Sequence, residues 1–171
     1  MNRILLLLLL WICPPSLFAG SPTTPEQRNE IVRVARALEE DPFGPGADRL
    51  RGKTLELVEE ASDMVIEINL AMIKELMASK IPHRVEVFGQ FLLGLAACAI
   101  EHPEQAKDPQ SNTFAAFSSA LKVYRKAVER DAANRIAFWD ELVAHERAGT
   151  LETRIKQLVE QRKPKVASKN K

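Results

Sequence analysis

Among the side chains able to bind a metal or activate a substrate, the histidines are His83, His102 and His145. No two of them stand four residues apart, the helical spacing that presents two ligands to zinc, because the residue four after His145 is Gly149. The sequence also contains no cysteine pair spaced for zinc, no glycine-rich phosphate loop and no dinucleotide-binding fingerprint. We therefore expect no metal site, no cofactor and no enzymatic activity.

The remaining reactive groups are a cysteine and two acidic clusters. Cys98 lies within the apolar run Leu95–Ile100, which predicts a buried thiol instead of a nucleophile. The acidic clusters Glu39–Asp41 and Glu59–Glu60 fall at predicted helix ends, where we expect solvated surface. A general acid would need burial or a specific partner, and neither can be read from sequence.

Aromatic residues are concentrated in the last third of the chain, at Phe114, Phe117, Tyr124, Phe138 and Trp139. One interpretation is core packing between two helices, because aromatic side chains at helical spacing usually build cores. The other is a groove for a peptide or an apolar ligand. We take these five residues as the candidate interaction surface.

Residues 1–19 have the features of a cleavable secretory signal peptide. Arg3 supplies a positive charge, Ile4–Ile12 is an unbroken apolar run, and Ala19 offers the small side chain that a peptidase needs before the cleaved bond. We expect cleavage after Ala19. The sequence thus predicts an exported protein, either periplasmic or extracellular.

Two alternatives for this leader are disfavoured. The apolar run is too short to cross ~30 Å of hydrocarbon comfortably, so we expect no transmembrane segment once the leader is cleaved. A lipid on Cys13 would require a small residue directly before it, where Trp11 and Ile12 stand instead. Loss of Cys13 with the leader leaves one thiol, so no internal disulfide can form.

The charge distribution divides the rest of the chain into a helical domain, residues 20–161, and a basic tail, residues 162–171. The domain has 18 basic and 23 acidic residues, whereas the tail has five basic residues and no acidic one. A mildly acidic domain argues against nucleic acid as a partner. We expect the tail to be disordered, and its alternative role is contact with an acidic partner.

Apolar residues recur at helical spacing through the domain, and no segment alternates as a strand does. The predicted fold is all-α, a compact array of about six to seven antiparallel helices. These helices span about 25–40, 47–61, 64–79, 83–101, 112–130, 135–148 and 151–161.

Local signals refine this arrangement. Thr24 and Gln27 form a predicted capping box at the first helix, and Pro109–Asn112 is expected to form a turn. The 83–101 helix is the most apolar, so we expect it to be central, with Gly89 and Gly94 at close contacts with neighbouring helices. The apolar positions of the second helix are Leu50, Leu55, Leu57 and Val58.

Part of the chain resembles a tetratricopeptide repeat. Ala120, Tyr124 and Ala127 follow the small–aromatic–small pattern of the second helix of that repeat, and Gly149 falls near the glycine of the next one. The resemblance covers residues 120–149 and implies a helical hairpin, although no repeat period is established. The chain also resembles small, uncharacterised exported helical proteins of bacteria through Asp41–Pro45 and Ile100–Pro103.

The leading functional hypothesis is an exported, non-enzymatic module that binds a protein or peptide through one face. The second is a carrier for a lipid or another apolar ligand, enclosed by the helices that are rich in methionine and aromatic residues. An enzyme of unfamiliar type ranks third, because no acid, base and nucleophile support one another in the sequence.

Overall fold

The computed structural model describes residues 20–64, 83–105 and 108–161. Within these ranges the chain forms six α-helices, one short 3-10 helix and no β-strand. The α-helices are α1 (Pro25–Glu40), α2 (Ala47–Glu59), α3 (Arg84–Glu101), α4 (Pro109–Arg130), α5 (Ala137–Arg147) and α6 (Leu151–Gln161). The predicted all-α class is confirmed.

Three predicted segments lie outside the described residues. They are the leader over 1–19, the helix from about 64 to 79 beyond its first residue, and the basic tail over 162–171. The expectations about these segments therefore stay predictions.

The ends of the helices follow from local hydrogen bonding. At the start of α1, Thr24 Oγ1 accepts a hydrogen bond from Gln27 N at 3.2 Å, and Gln27 Oε1 accepts one from Thr24 N at 2.8 Å. This reciprocal pair is the predicted capping box, in which side chains satisfy backbone donors that the first helical turn leaves free.

The start of α4 differs from the prediction. The helix begins at Pro109, so the expected turn at Pro109–Asn112 is wrong. Asp108 accepts hydrogen bonds from the backbone nitrogens of Gln110 and Ser111 at 3.1 and 3.3 Å. Proline suits the first helical position because it has no N–H to leave unpaired there, so it initiates this helix instead of ending a loop.

Helix α3 occupies the centre, with contacts to α1, α2 and α4, and its contact with α4 is the most extensive of the fold. A Cβ at Gly94 would lie only 2.6 Å from Ser119 Cβ on α4, and one at Gly89 would lie 2.7 Å from Arg51 Cδ on α2. The predicted close contacts of both glycines are confirmed. None of the six described helices is both long and apolar enough to cross a membrane.

Helix α2 buries polar side chains in addition to its apolar ones. Its buried residues are Ala47, Arg51 and Thr54, whereas Leu50 is 39% exposed and the other apolar side chains are partly buried. The Arg51 guanidinium donates to Pro42 O and to Asp48 Oδ1, both at 2.7 Å. Because these bonds satisfy two of its nitrogens and Gly89 leaves room for its aliphatic stem, the arginine is buried beside Leu55 and Val58, which pack against the core.

Candidate functional site

The five aromatic residues of the candidate interaction surface occupy two environments. Phe117, Tyr124 and Trp139 lie in the core with 0–1% exposure, and the ring centroids of Tyr124 and Trp139 are 5.5 Å apart. Phe114 and Phe138 are partly buried at the edge of the same cluster. Three of the five therefore build the interior between α4 and α5, and only the outer two remain available for a surface.

Tyr124 also forms hydrogen bonds that hold the segment before α5 in place. Its hydroxyl accepts a hydrogen bond from Ile136 N at 2.8 Å and donates one to Asp140 Oδ1 at 2.9 Å. Burial, followed by the contact with Asp140, raises the pKa of Tyr124 to about 12. The phenol consequently stays protonated at neutral pH and serves as a structural hydrogen-bonding group.

The histidines lie in separate places. His83 precedes α3 with its ring 4.6 Å from that of Phe43, His102 ends α3, and His145 Nδ1 is 2.9 Å from Thr150 Oγ1. In residues 20–64, 83–105 and 108–161, no three histidine, cysteine or acidic residues come together as a metal-ion site would require.

Cys98 is buried with 5% exposure, as predicted. Burial, with a further contribution from the charge of Glu101, raises the pKa of its thiol. Its Sγ lies 3.8 Å from Asn112 Oδ1. A nucleophilic cysteine needs the opposite shift, because the thiolate is the reactive form.

Glu39 contradicts the expectation that its acidic cluster is solvated. Its side chain is 2% exposed and joins α1 to α4. Oε1 accepts hydrogen bonds from Arg36 Nη1 at 2.6 Å and Ser119 Oγ at 2.7 Å, while Oε2 accepts one from Lys122 Nζ at 2.5 Å. The cluster Glu59–Glu60 is exposed, as expected.

The ionisation of Glu39 follows from these contacts. Burial by itself would raise the pKa of this carboxyl, but hydrogen bonds from Lys122 and Ser119 and the charge of Arg36 hold its pKa below the usual value. The carboxylate is thus charged at neutral pH. Arg36 also pairs with Glu101 on α3 at 2.5 Å, so one arginine connects two acidic residues on different helices.

The buried Gln90 adds to these polar contacts, because it bonds to Ser119 within the core. Its Nε2 donates to Ser119 Oγ at 2.8 Å and to Ala35 O at 2.9 Å, so that α1, α3 and α4 meet at one amide. Gln90 has 0% exposure, and its position explains why a single polar residue stands on the buried face of α3. We refer to Gln90, Ser119, Glu39, Arg36 and Lys122 as the Glu39 network.

An open cleft of about 420 Å³ lies beside the Glu39 network, between α1, α3 and α4. We call it the central cleft. Arg36 and Lys122 line it with 45% and 41% side-chain exposure. Its remaining lining combines apolar surface with hydroxyl and charged groups, including Phe114, Ala115, Ser111, Ser118 and Glu152.

The sequence did contain a signal for Glu39. The residue follows Ala35 by four positions, which places it on the buried stripe that also contains Ile31 and Leu38. Chemically, the central cleft offers a half-buried aromatic ring, hydroxyl groups and two partly hydrated cations, a combination suited to non-covalent binding of a polypeptide. Comparison of the chain with protein-family models, with curated proteins and with solved structures gave no match.

Proposed function

We propose that this protein is an exported binding module that holds a segment of a partner protein in the central cleft. The observation that carries the proposal is the Phe114 ring, which lies partly buried in the wall of an open cleft. An aromatic ring fixed in this way offers apolar contact area to a partner at little cost in side-chain entropy. It is also one of the two predicted surface aromatics that the core does not enclose.

Polar groups around Phe114 complement this contact. Ser111 and Ser118 offer hydroxyl groups that can donate to or accept from a peptide backbone. The resemblance of residues 120–149 to a tetratricopeptide hairpin and the predicted export of the chain are consistent with an interaction module, and both belong to the proposal.

Carriage of an apolar ligand is the second candidate and has less support. A carrier needs an enclosed apolar cavity, whereas the described aromatic side chains contact one another. The centroid of Phe117 is 5.2 Å from that of Phe91 and 5.8 Å from that of Trp139. A small apolar molecule that co-purifies with the protein in native mass spectrometry would favour carriage over partner binding.

Site-specific photocrosslinking in cells that export the protein tests the proposal. A photoreactive amino acid replaces Ser118 in the central cleft or, as the matched control, Lys156 on the exposed side of α6. We expect one discrete crosslinked protein from position 118 and none from position 156. Equal products from both positions, or no product from position 118, would overturn the proposal.

A substitution at the cleft wall provides the affinity test. Phe114→Ala should lower the affinity for the crosslinked partner at least fivefold, which corresponds to about 1 kcal/mol. Fluorescence of the buried Trp139 reports whether the variant is folded. Unchanged affinity in a folded variant would contradict the assignment of this cleft.

A further inference from the structure

The residues directly after the predicted cleavage site are hydrogen-bonded to residues that follow the C-terminal end of α2. We call Gly20–Thr24 the N-terminal strap. Ser21 and Ala61 form an isolated parallel β-bridge, in which Ser62 N donates to Ser21 O at 3.2 Å. The strap therefore contacts a part of the chain that lies 40 residues away from it in sequence.

Asp63 secures this contact with side-chain hydrogen bonds. Its Oδ1 accepts from Thr23 N at 2.9 Å, and its Oδ2 accepts from Thr23 Oγ1 at 3.0 Å and from Arg28 Nη2 at 2.5 Å. Arg28 Nε also donates to Thr23 Oγ1 at 2.9 Å. These bonds attach the strap to residues of the folded domain.

Gly20 itself lies against the backbone carbonyl of Glu60, the residue that follows α2. A Cβ on Gly20 would be 1.9 Å from Glu60 O, so any larger residue would collide with the backbone there. Glu60 is the C-cap of α2, at the end of the helix where the dipole is negative. A positive charge is favourable at such a helix end.

We propose that removal of the leader creates the missing positive group, and that the α-ammonium of Gly20 binds the C-terminal end of α2. A signal peptidase would hydrolyse the Ala19–Gly20 amide with a water molecule, leaving a carboxylate on Ala19 and an ammonium on Gly20. A neutral amide is thereby replaced by a cation on the residue that packs against the Glu60 carbonyl. An open cleft of about 240 Å³ next to Gly20, Leu57 and Glu60 keeps one side of this cation hydrated.

The inference rests on the export that the proposed function includes, but not on the central cleft. Absence of a crosslinked product at Ser118 would contradict partner binding but not the binding of the ammonium group. An N-terminal residue other than Gly20 would contradict the binding of the ammonium group but not partner binding in the central cleft.

The experiment uses the protein purified after export. Its intact mass should correspond to a chain that begins at Gly20, and any other first residue would overturn the inference. The α-amine is then acetylated near pH 6.5, where it reacts in preference to lysine because its pKa is about 8 against about 10.4. Acetylation should lower the Tm by about 1 to 4 °C, and an unchanged Tm would refute ammonium binding.

A matched variant separates docking from a general charge effect. Asp63→Ala removes the carboxylate that fixes Thr23 and Arg28, and should release the strap. In this variant, acetylation should leave the Tm unchanged. If acetylation lowered the Tm of both proteins equally, the charge would be acting without the docked geometry, and the inference would be wrong.

Discussion

Neutralisation of Glu39 tests whether the Glu39 network holds α1 against α4. Glu39→Gln removes the charge but keeps an oxygen that can accept from Ser119, whereas Glu39→Ala removes every hydrogen bond of the carboxylate. Loss of one partner from a fully buried ion pair costs about 3–5 kcal/mol. The loss here is smaller, because Arg36 and Lys122 are 45% and 41% exposed and regain water.

Hydrogen bonds to a charged group contribute about 1.5–3 kcal/mol each before that rehydration is counted. We therefore expect Glu39→Gln to lower the free energy of unfolding by about 1–2 kcal/mol. Glu39→Ala should lower it by about 2–4 kcal/mol, because Ser119 also loses its acceptor and a cavity remains.

Urea unfolding followed by tryptophan fluorescence measures these losses. Trp139 has 0% exposure and is the single tryptophan of residues 20–171, so its emission reports the core directly. The matched control is Glu40→Gln, which neutralises the exposed neighbouring carboxylate and should change stability by less than about 0.5 kcal/mol.

Two results would refute this reasoning. One is an equal loss of stability in Glu39→Gln and Glu40→Gln, which would mean that burial of the carboxylate has no energetic consequence. The other is strict additivity of Glu39→Gln and Lys122→Met, since side chains 2.5 Å apart should show a coupling energy of about 1 kcal/mol.

Gly94→Ala should destabilise the protein by about 1–3 kcal/mol in urea unfolding, because the added Cβ would lie 2.6 Å from Ser119 Cβ. Gly52→Ala should stabilise the protein by about 0.5–1 kcal/mol in the same measurement, because its added Cβ would face open space and alanine favours a helix more than glycine does. The pKa of Asp63 is lowered to about 2 chiefly by a backbone hydrogen bond, so its stabilisation is complete above about pH 5 and is lost as the pH falls through about 2. Acid unfolding of Asp63→Asn should therefore depend less on pH in that range. Burial raises the pKa of Tyr124 to about 12, so stability should fall between pH 10 and 12, and Tyr124→Phe should lose this dependence in alkaline unfolding.

Local signals in the sequence predicted the helical class and several helix ends correctly. Thr24 and Gln27 cap α1 because that motif depends only on residues three apart. The close contact at Gly94 was also predictable, since a glycine inside an apolar helix usually has a packing reason.

Features that depend on which helices meet were not predictable in the same way. The helical spacing places Glu39 on the buried stripe of α1, but its partner Ser119 is 80 residues away, so the hydrogen bonds that make its burial favourable depend on the juxtaposition of α1 and α4. Likewise, the spacing of Phe114 and Phe117 places both on one helix, but the positions of α3 and α5 decide which ring is enclosed. The burial of Arg51 was not predictable either, because it depends on a hydrogen bond to Pro42 O outside α2.

The separation between Glu39 and Ser119 has a kinetic consequence. Helices α3 and α4 are neighbours in sequence and share the largest contact, so their pairing closes only a short loop and should form early. The hydrogen bond between Glu39 on α1 and Ser119 on α4 closes a loop of 80 residues, and it should form after the folding transition state. Interactions made that late change the unfolding rate more than the refolding rate, so loss of the bonds between Glu39 and α4 should shorten the lifetime of each native molecule more than it slows folding.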